Sequence, residues 1–191
     1  MPRFGIGFGG GRGRKILPDE LGDSLGPHAM VSSTAYARYV GPTDDPLTEL
    51  DVAGYIHGVA AVAGGGGAAL NWAEFAIAIS ANPARMAANL DLTILGTADV
   101  TNEALNAGAG SAIKRKTILG LRIPAGAHLW VLASTAFQTT NMTMRYANSD
   151  GQGRWRTRAA CQPSLNLNAP LAFATTAPAA AAVMLLYAHL P

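Results

Sequence analysis

The sequence predicts an all-β fold: an antiparallel, jelly-roll-like β-sandwich with an extended glycine-rich N-terminal arm. Three observations predict it. Short apolar segments with period-two alternation recur between Glu74 and Leu190. Turn residues, among them Asn82-Pro83 and Pro124-Ala125-Gly126, punctuate them. No long segment with a 3.6-residue period lies between them. With 191 residues, 49% of them apolar and only 14% charged, the chain can bury a substantial core, and a disordered polyelectrolyte is excluded.

Residues 1–30 read as a flexible basic arm and linker, and residues 31–191 as a single β-sandwich domain whose best-defined strands span 74–190. The arm begins RFGIGFGGGRGRK, in which Gly5, Gly7 and Gly10 spell G-x-G-x-x-G. In a dinucleotide fold those glycines would follow a buried strand and open a helix. Here the stretch is too rich in glycine to start a helix, Pro18 and Gly22 break the segment that should carry it, and no G-K-[ST] is present. The dinucleotide reading fails, and no cofactor is expected. There remains a pliable segment with Phe4, Ile6 and Phe8 at period two, then Arg12, Arg14 and Lys15. Ordering it costs entropy, so it is expected to fold only against a partner.

In the body, VSSTAYARYV over 31–40 reads as a first strand ended by Gly41-Pro42, and GPTDDPLTELD as a loop or short helix entry. GYIHGVAAVA reads as a strand stopped by Gly64–Gly67, although Thr48 as a cap would also permit a helix. EFAIAIS places Phe75, Ile77 and Ile79 on one face, and LDLTILG continues with Leu90, Leu92 and Ile94. KTILGLRIP alternates Leu119, Leu121 and Ile123 against Lys116, Gly120 and Arg122. HLWVLASTA, NMTMRYAN, GRWRTRAA, LAFATT and AAVMLLYAHL complete eight strands, a number that favours a jelly roll over a seven-stranded immunoglobulin-like pair of sheets. DVTNEALNAGAGSAIKRK reads as an excursion loop, where sandwiches place binding surfaces. The apolar C-terminal stretch reads as two buried strands joined at Ala177-Pro178 rather than a membrane span, because Thr175, Thr176 and Pro178 interrupt it. No secretory leader is expected from the basic, glycine-rich opening.

Charge is unevenly distributed. Arg3, Arg12, Arg14 and Lys15 carry the first fifteen residues without an acid, leaving a slightly acidic remainder in a chain of net +2. A basic arm on a nearly neutral body is a tether for an acidic surface or phosphate. Four charges are too small a footprint for a packaged genome, which argues against nucleic acid as the partner. The body carries so little charge that subunit packing about a closed symmetry, with a trimer favoured, is expected.

Chemistry-bearing patterns are sparse. Asp44, Asp45, Glu49 and Asp51 crowd one loop and offer oxygen ligands, but without the EF-hand spacing. His28, His57, His128 and His189 are scattered without an i,i+4 pair. Ser80, Ser111 and Ser134 lack a nucleophile elbow. Cys161 is alone, so there is no intrachain disulfide framework, and its alanine-rich setting suits a small buried hydrophobe. No enzymatic activity is expected. In RWRTR, Arg154, Arg156 and Arg158 share one strand face. They form either a stripe for a polyanion or a subunit interface, joined by Lys114, Arg115 and Lys116, or arginines in water with Trp155 in the core. Trp72 and Trp130 read as core residues, and Asn141-Met142-Thr143 as a formal glycosylation sequon.

The opening GIGFGGGRGRK and the strand–IPAG–strand unit LGLRIPAGAHLWVLAS together resemble small jelly-roll structural proteins of tailed bacteriophage virions, the decoration and fibre-type proteins of heads and tails. The resemblance covers residues 70–190 of the body. It implies location in the virion after synthesis in the host cytoplasm, major capsid or tail proteins as partners, trimeric association, and no catalytic residue. Carbohydrate binding to a host surface is the alternative that a β-sandwich equally serves.

Overall fold

The computed structural model describes residues 27–61, 70–82, 89–101, 112–137, 140–148, 155–161, 170–175, 182–184 and 186–189. Residues 1–26 of the predicted arm and linker, with Phe4, Ile6, Phe8, Arg12, Arg14 and Lys15, lie outside them, as does Arg154, whereas its last residues belong to the body: Pro27–Ala29 forms a paired strand and Met30 is buried. The described body consists of antiparallel strands in two layers. Strands β2 (Thr34–Pro42), β4 (Leu70–Ser80), β5 (Asn89–Asp99), β7 (His128–Phe137), β9 (Trp155–Arg158) and β10 (Pro170–Thr175) close into a six-stranded barrel in the order β10-β5-β4-β7-β2-β9. Strands β1 (Pro27–Ala29), β3 (Leu50–Ala61), β6 (Ala112–Ile118), β8 (Thr140–Asn148), β11 (Ala182–Met184) and β12 (Leu186–His189) form a six-stranded sheet around β3 and β8. The all-β, antiparallel expectation holds, and one of the two layers is closed on itself.

Closure requires the strands to be staggered, and the register shows it. Tyr36 lies opposite Ala133, which pairs with Phe75, which pairs with Ala98 on β5. Traced the other way, Tyr36 pairs with Thr157, Thr157 with Ala174, and Ala174 with Asn89, at the far end of the same strand. A barrel of this size must be filled by its own side chains. The sequence provides for this by alternating small and large residues. Ala35, Ala37, Ala76 and Ala78 point inward from β2 and β4, and Trp130, Leu132, Leu92, Ile94 and Phe173 from the facing strands fill the space they leave.

The opposite faces of β4 and β7 are also buried. Phe75, Ile77, Leu129 and Val131 pack against Leu50, Val52, Met142, Met144 and Leu186 of the sheet. This explains why EFAIAIS and HLWVLASTA read as nearly continuous apolar runs: each strand is shared by two cores. Gly54 of β3 lies at a close approach of the two layers. A Cβ there would stand 2.6 Å from Met144 Cε and 3.0 Å from Phe75 Cζ. Phe75, Ile77 and Ile79 do share a face, which is the inter-layer one, whereas Leu90, Leu92 and Ile94 turn into the barrel. The register shift between Ile77 and Ala78 accompanies that change of side.

Three expectations are corrected. The alternation drawn through Leu119, Leu121 and Ile123 breaks at its first member. Ile118 is buried and Leu119 is 68% exposed, because β6 ends at Ile118 and Gly120 takes a positive φ of 71° that shifts the phase. Lys114, Arg115 and Lys116 belong to β6, paired along β3, and not to an excursion loop. Arg156, foreseen on a polyanion stripe, at a subunit interface or in water, is instead buried to 1% exposure among the barrel strands. The C-terminal apolar stretch forms strands where it is described, and among the described residues no helix is long and apolar enough to cross a membrane.

Candidate functional site

The site with the clearest geometry lies where β2 leaves the barrel. Between β2 and β3 the chain runs through Thr43–Glu49, and between β6 and β7 through Leu119–Ala127. The two segments are tied by backbone hydrogen bonds. Leu47 N donates to Ile123 O at 2.9 Å, Ile123 N to Leu47 O at 3.0 Å, and Leu121 N to Thr48 O at 2.8 Å. Thr43 makes a second clamp. Its hydroxyl donates to Pro124 O at 2.8 Å and accepts from Ala127 N at 3.1 Å, while Gly126 N donates to Thr43 O at 2.6 Å. Gly126 adopts φ +77°, which only glycine takes at low cost, so I-P-A-G forms the turn that the sequence suggested.

The clamps frame a shallow, open groove of about 470 Å³, lined by segments 46–48 and 121–124. Its lining is mostly apolar, from Pro46, Leu47, Leu121, Ile123 and Pro124. Leu47, Leu121 and Ile123 belong to the inter-layer core and are buried, so little of their surface opens to the groove. Asp44 and Asp45 stand exposed just before one lining segment, and Glu49 just after it. Arg122 is the basic residue of the lining. Leu119, two positions before Leu121, adds an exposed apolar side chain to the same region.

The fourth acid of the loop sequence takes no part in this rim. Asp51 is buried on the sheet, where it accepts from Thr117 Oγ1 at 2.6 Å and lies 3.7 Å from Arg115 Nε. Strand pairing between β3 and β6 thus divides DDPLTELD into an exposed rim and a buried structural acid. Among the described residues no group of three or more His, Cys, Asp or Glu side chains is arranged to hold a metal ion.

The barrel interior carries polar groups that the sequence did not place together. Glu74 and Ser134 are cross-strand partners, and the Ser134 hydroxyl donates to Glu74 Oε1 at 3.2 Å. Ala35 continues the same row opposite Arg158, while Ala37 lies opposite Arg156. Two alanines on β2 therefore make room for arginines on β9. Burial lowers the pKa of the Arg156 guanidinium from its ordinary value, though a guanidinium stays charged at neutral pH. Arg158 is half-buried and donates through Nη1 to Ala172 O at 2.9 Å. Cys161 seals this region: its amide donates to Ser33 O at 2.8 Å, and burial raises its thiol pKa.

Toward the other end of the barrel, Trp130 Nε1 donates to Ser80 Oγ at 2.9 Å, and Ser80 donates onward to Asn82 O at 2.6 Å. Tyr39 Oη and His128 Nδ1 share a hydrogen bond of 2.9 Å, and the Tyr39 ring packs 5.2 Å from that of Trp130. Trp130 is fully buried and Trp72 half-buried against the barrel core. Ser111 and the side chains of Trp155, His28, His57 and His189 lie outside the described part of the chain. Ser80 and Ser134 are thus held in structural hydrogen bonds within packed layers. In sequence the groove was legible only in part, as the IPAG turn and the acidic loop. Their juxtaposition depends on the Leu47–Ile123 bridge and the hydrogen bonds of Thr43 and Thr48 beside it, between residues far apart in the chain.

The sequence matches no known protein-family model and no curated protein.

Proposed function

We propose that this chain is a non-enzymatic structural subunit of a tailed-bacteriophage virion, a capsid decoration or cement protein or a head- or tail-fibre component. On this reading the N-terminal arm anchors it to major capsid or tail proteins, and the jelly-roll-like body self-associates, with a trimer favoured. One observation carries the reading: in the described part of the body, both interiors are filled by the chain's own side chains. A barrel plugged by Trp130, Phe173, Leu92 and Arg156 has the build of a rigid block and not of a container. The exposed Leu119, beside the shallow depression of segments 46–48 and 121–124, offers apolar surface suited to meeting another chain.

Carbohydrate binding, the competing reading, requires aromatic faces available for stacking. Of the described aromatics, Tyr36, Phe75, Trp130, Phe173 and Tyr187 are buried, Tyr39 is engaged by His128 and Trp130, and Trp72 and Tyr146 are half-buried. Their burial favours assembly.

The test is purification of virions from an infected culture through a density gradient, with the particle proteins identified by mass spectrometry. The chain is expected at fixed stoichiometry with the shell or tail proteins, and recombinant protein is expected to sediment as a closed oligomer. A monomer absent from washed particles would overturn the proposal.

A further inference from the structure

We propose that the barrel carries a built-in gate: it parts at the seam between β9 and β10, while β2, β4, β5 and β7 stay paired, and so uncovers the polar part of its interior. Such a gate is a property of the fold and is independent of the functional reading.

The seam is the weakest line in the barrel wall. Among the described residues, β9 and β10 are joined only through Ala174 opposite Thr157 and Thr175 opposite Arg156. By contrast, β4 and β7 pair from Leu70 to Ser80, and β10 pairs with β5 from Pro170 to Ala174. Local openings begin where the fewest backbone bonds and apolar contacts must break. Past the end of β9 a side chain takes the place of strand pairing: the Arg158 guanidinium donates through Nη1 to Ala172 O at 2.9 Å. Arg158 is only half-buried, so water can replace this latch. The turn beyond it is strained. Ala160 and Ser33 take left-handed φ values of +59° and +54°, and they meet across the hydrogen bond from Cys161 N to Ser33 O. Relaxing that turn as the seam parts releases strain. Behind the seam the interior is polar. Cys161 is 4% exposed, its thiol donates to Arg158 O at 3.4 Å, and the charges of Arg158 and Glu74 both act on it. Arg156 and the Glu74–Ser134 pair are buried nearby in the same barrel. Parting this side therefore wets less apolar surface than an opening that bared Trp130 or Phe173.

Cys161, the single cysteine of the chain, reports the opening. Its labelling by methyl methanethiosulfonate is followed on the full chain at urea concentrations well below the unfolding midpoint. A gate gives a rate nearly independent of urea, because parting so short a seam exposes little surface. Arg158→Met keeps the aliphatic stem but removes the latch, and is expected to raise that rate about three- to tenfold. A disulfide across the seam, Thr157→Cys with Ala174→Cys, is expected to lower it at least about tenfold, with mass spectrometry reading the adduct on Cys161 alone. A wild-type rate that climbs with urea as steeply as global unfolding would overturn the proposal. So would a rate that Arg158→Met leaves unchanged, or one that the formed disulfide does not slow.

Discussion

Replacing Phe173 by alanine tests whether the barrel is a packed core or a ligand container. Phe173 is fully buried on β10, the strand that joins β5 to β9 and so closes the barrel. The substitution removes roughly 100 Å³ of side chain, and at ~24 cal/mol per Å³ an unrelaxed cavity of that size costs about 2.4 kcal/mol. Lost transfer free energy adds about 2 kcal/mol for an aromatic ring. The expected loss is therefore about 4 kcal/mol, a large share of the roughly 5–15 kcal/mol that stabilises a typical domain. Equilibrium urea unfolding followed by tryptophan fluorescence measures it, since Trp130 lies in the same cluster. The midpoint should fall with an unchanged slope. A loss below about 1 kcal/mol would refute the reasoning, because it would mean that Phe173 borders an existing void or that β10 does not complete the core.

Single contacts elsewhere set further expected outcomes. Gly54→Ala should cost about 1–3 kcal/mol by overpacking, because the new methyl meets Met144, Phe75 and Leu186 together; the same unfolding assay reads it, and a neutral result would place the two layers further apart. Asp99 has a lowered carboxyl pKa, chiefly through its hydrogen bonds with the side chain and amide of Thr101, so it stabilises the fold above the ordinary carboxylate range and that stability is lost as pH falls through its folded-state value. Thr101→Val should move the Asp99 titration upward in carbon-detected NMR, and an unmoved titration would assign the shift elsewhere. Burial and a raised pKa should make Cys161 react with a disulfide reagent at about pH 8 at least roughly tenfold more slowly in the native protein than in denaturant, so equal rates would show that the end of the barrel is open.

The sequence by itself determined the class of structure. Period-two patterning in LDLTILG and the short apolar runs EFAIAIS and HLWVLASTA, broken by Asn-Pro and Pro-Ala-Gly, specify strands through local sterics, whatever the strands later pair with. Tertiary structure decided which face met which. Leu92 and Phe75 are equally apolar, yet one fills the barrel and the other the space between layers, because that choice is made by bulges and stagger. Arg156 reads as a surface residue in a row of arginines and lies buried because Ala37, far away in the chain, leaves room opposite it. The groove arose the same way, from Leu47 and Ile123 exchanging backbone hydrogen bonds. Pairing partners distant in sequence leave no local signature, since the backbone donors and acceptors that join them are the same at every residue.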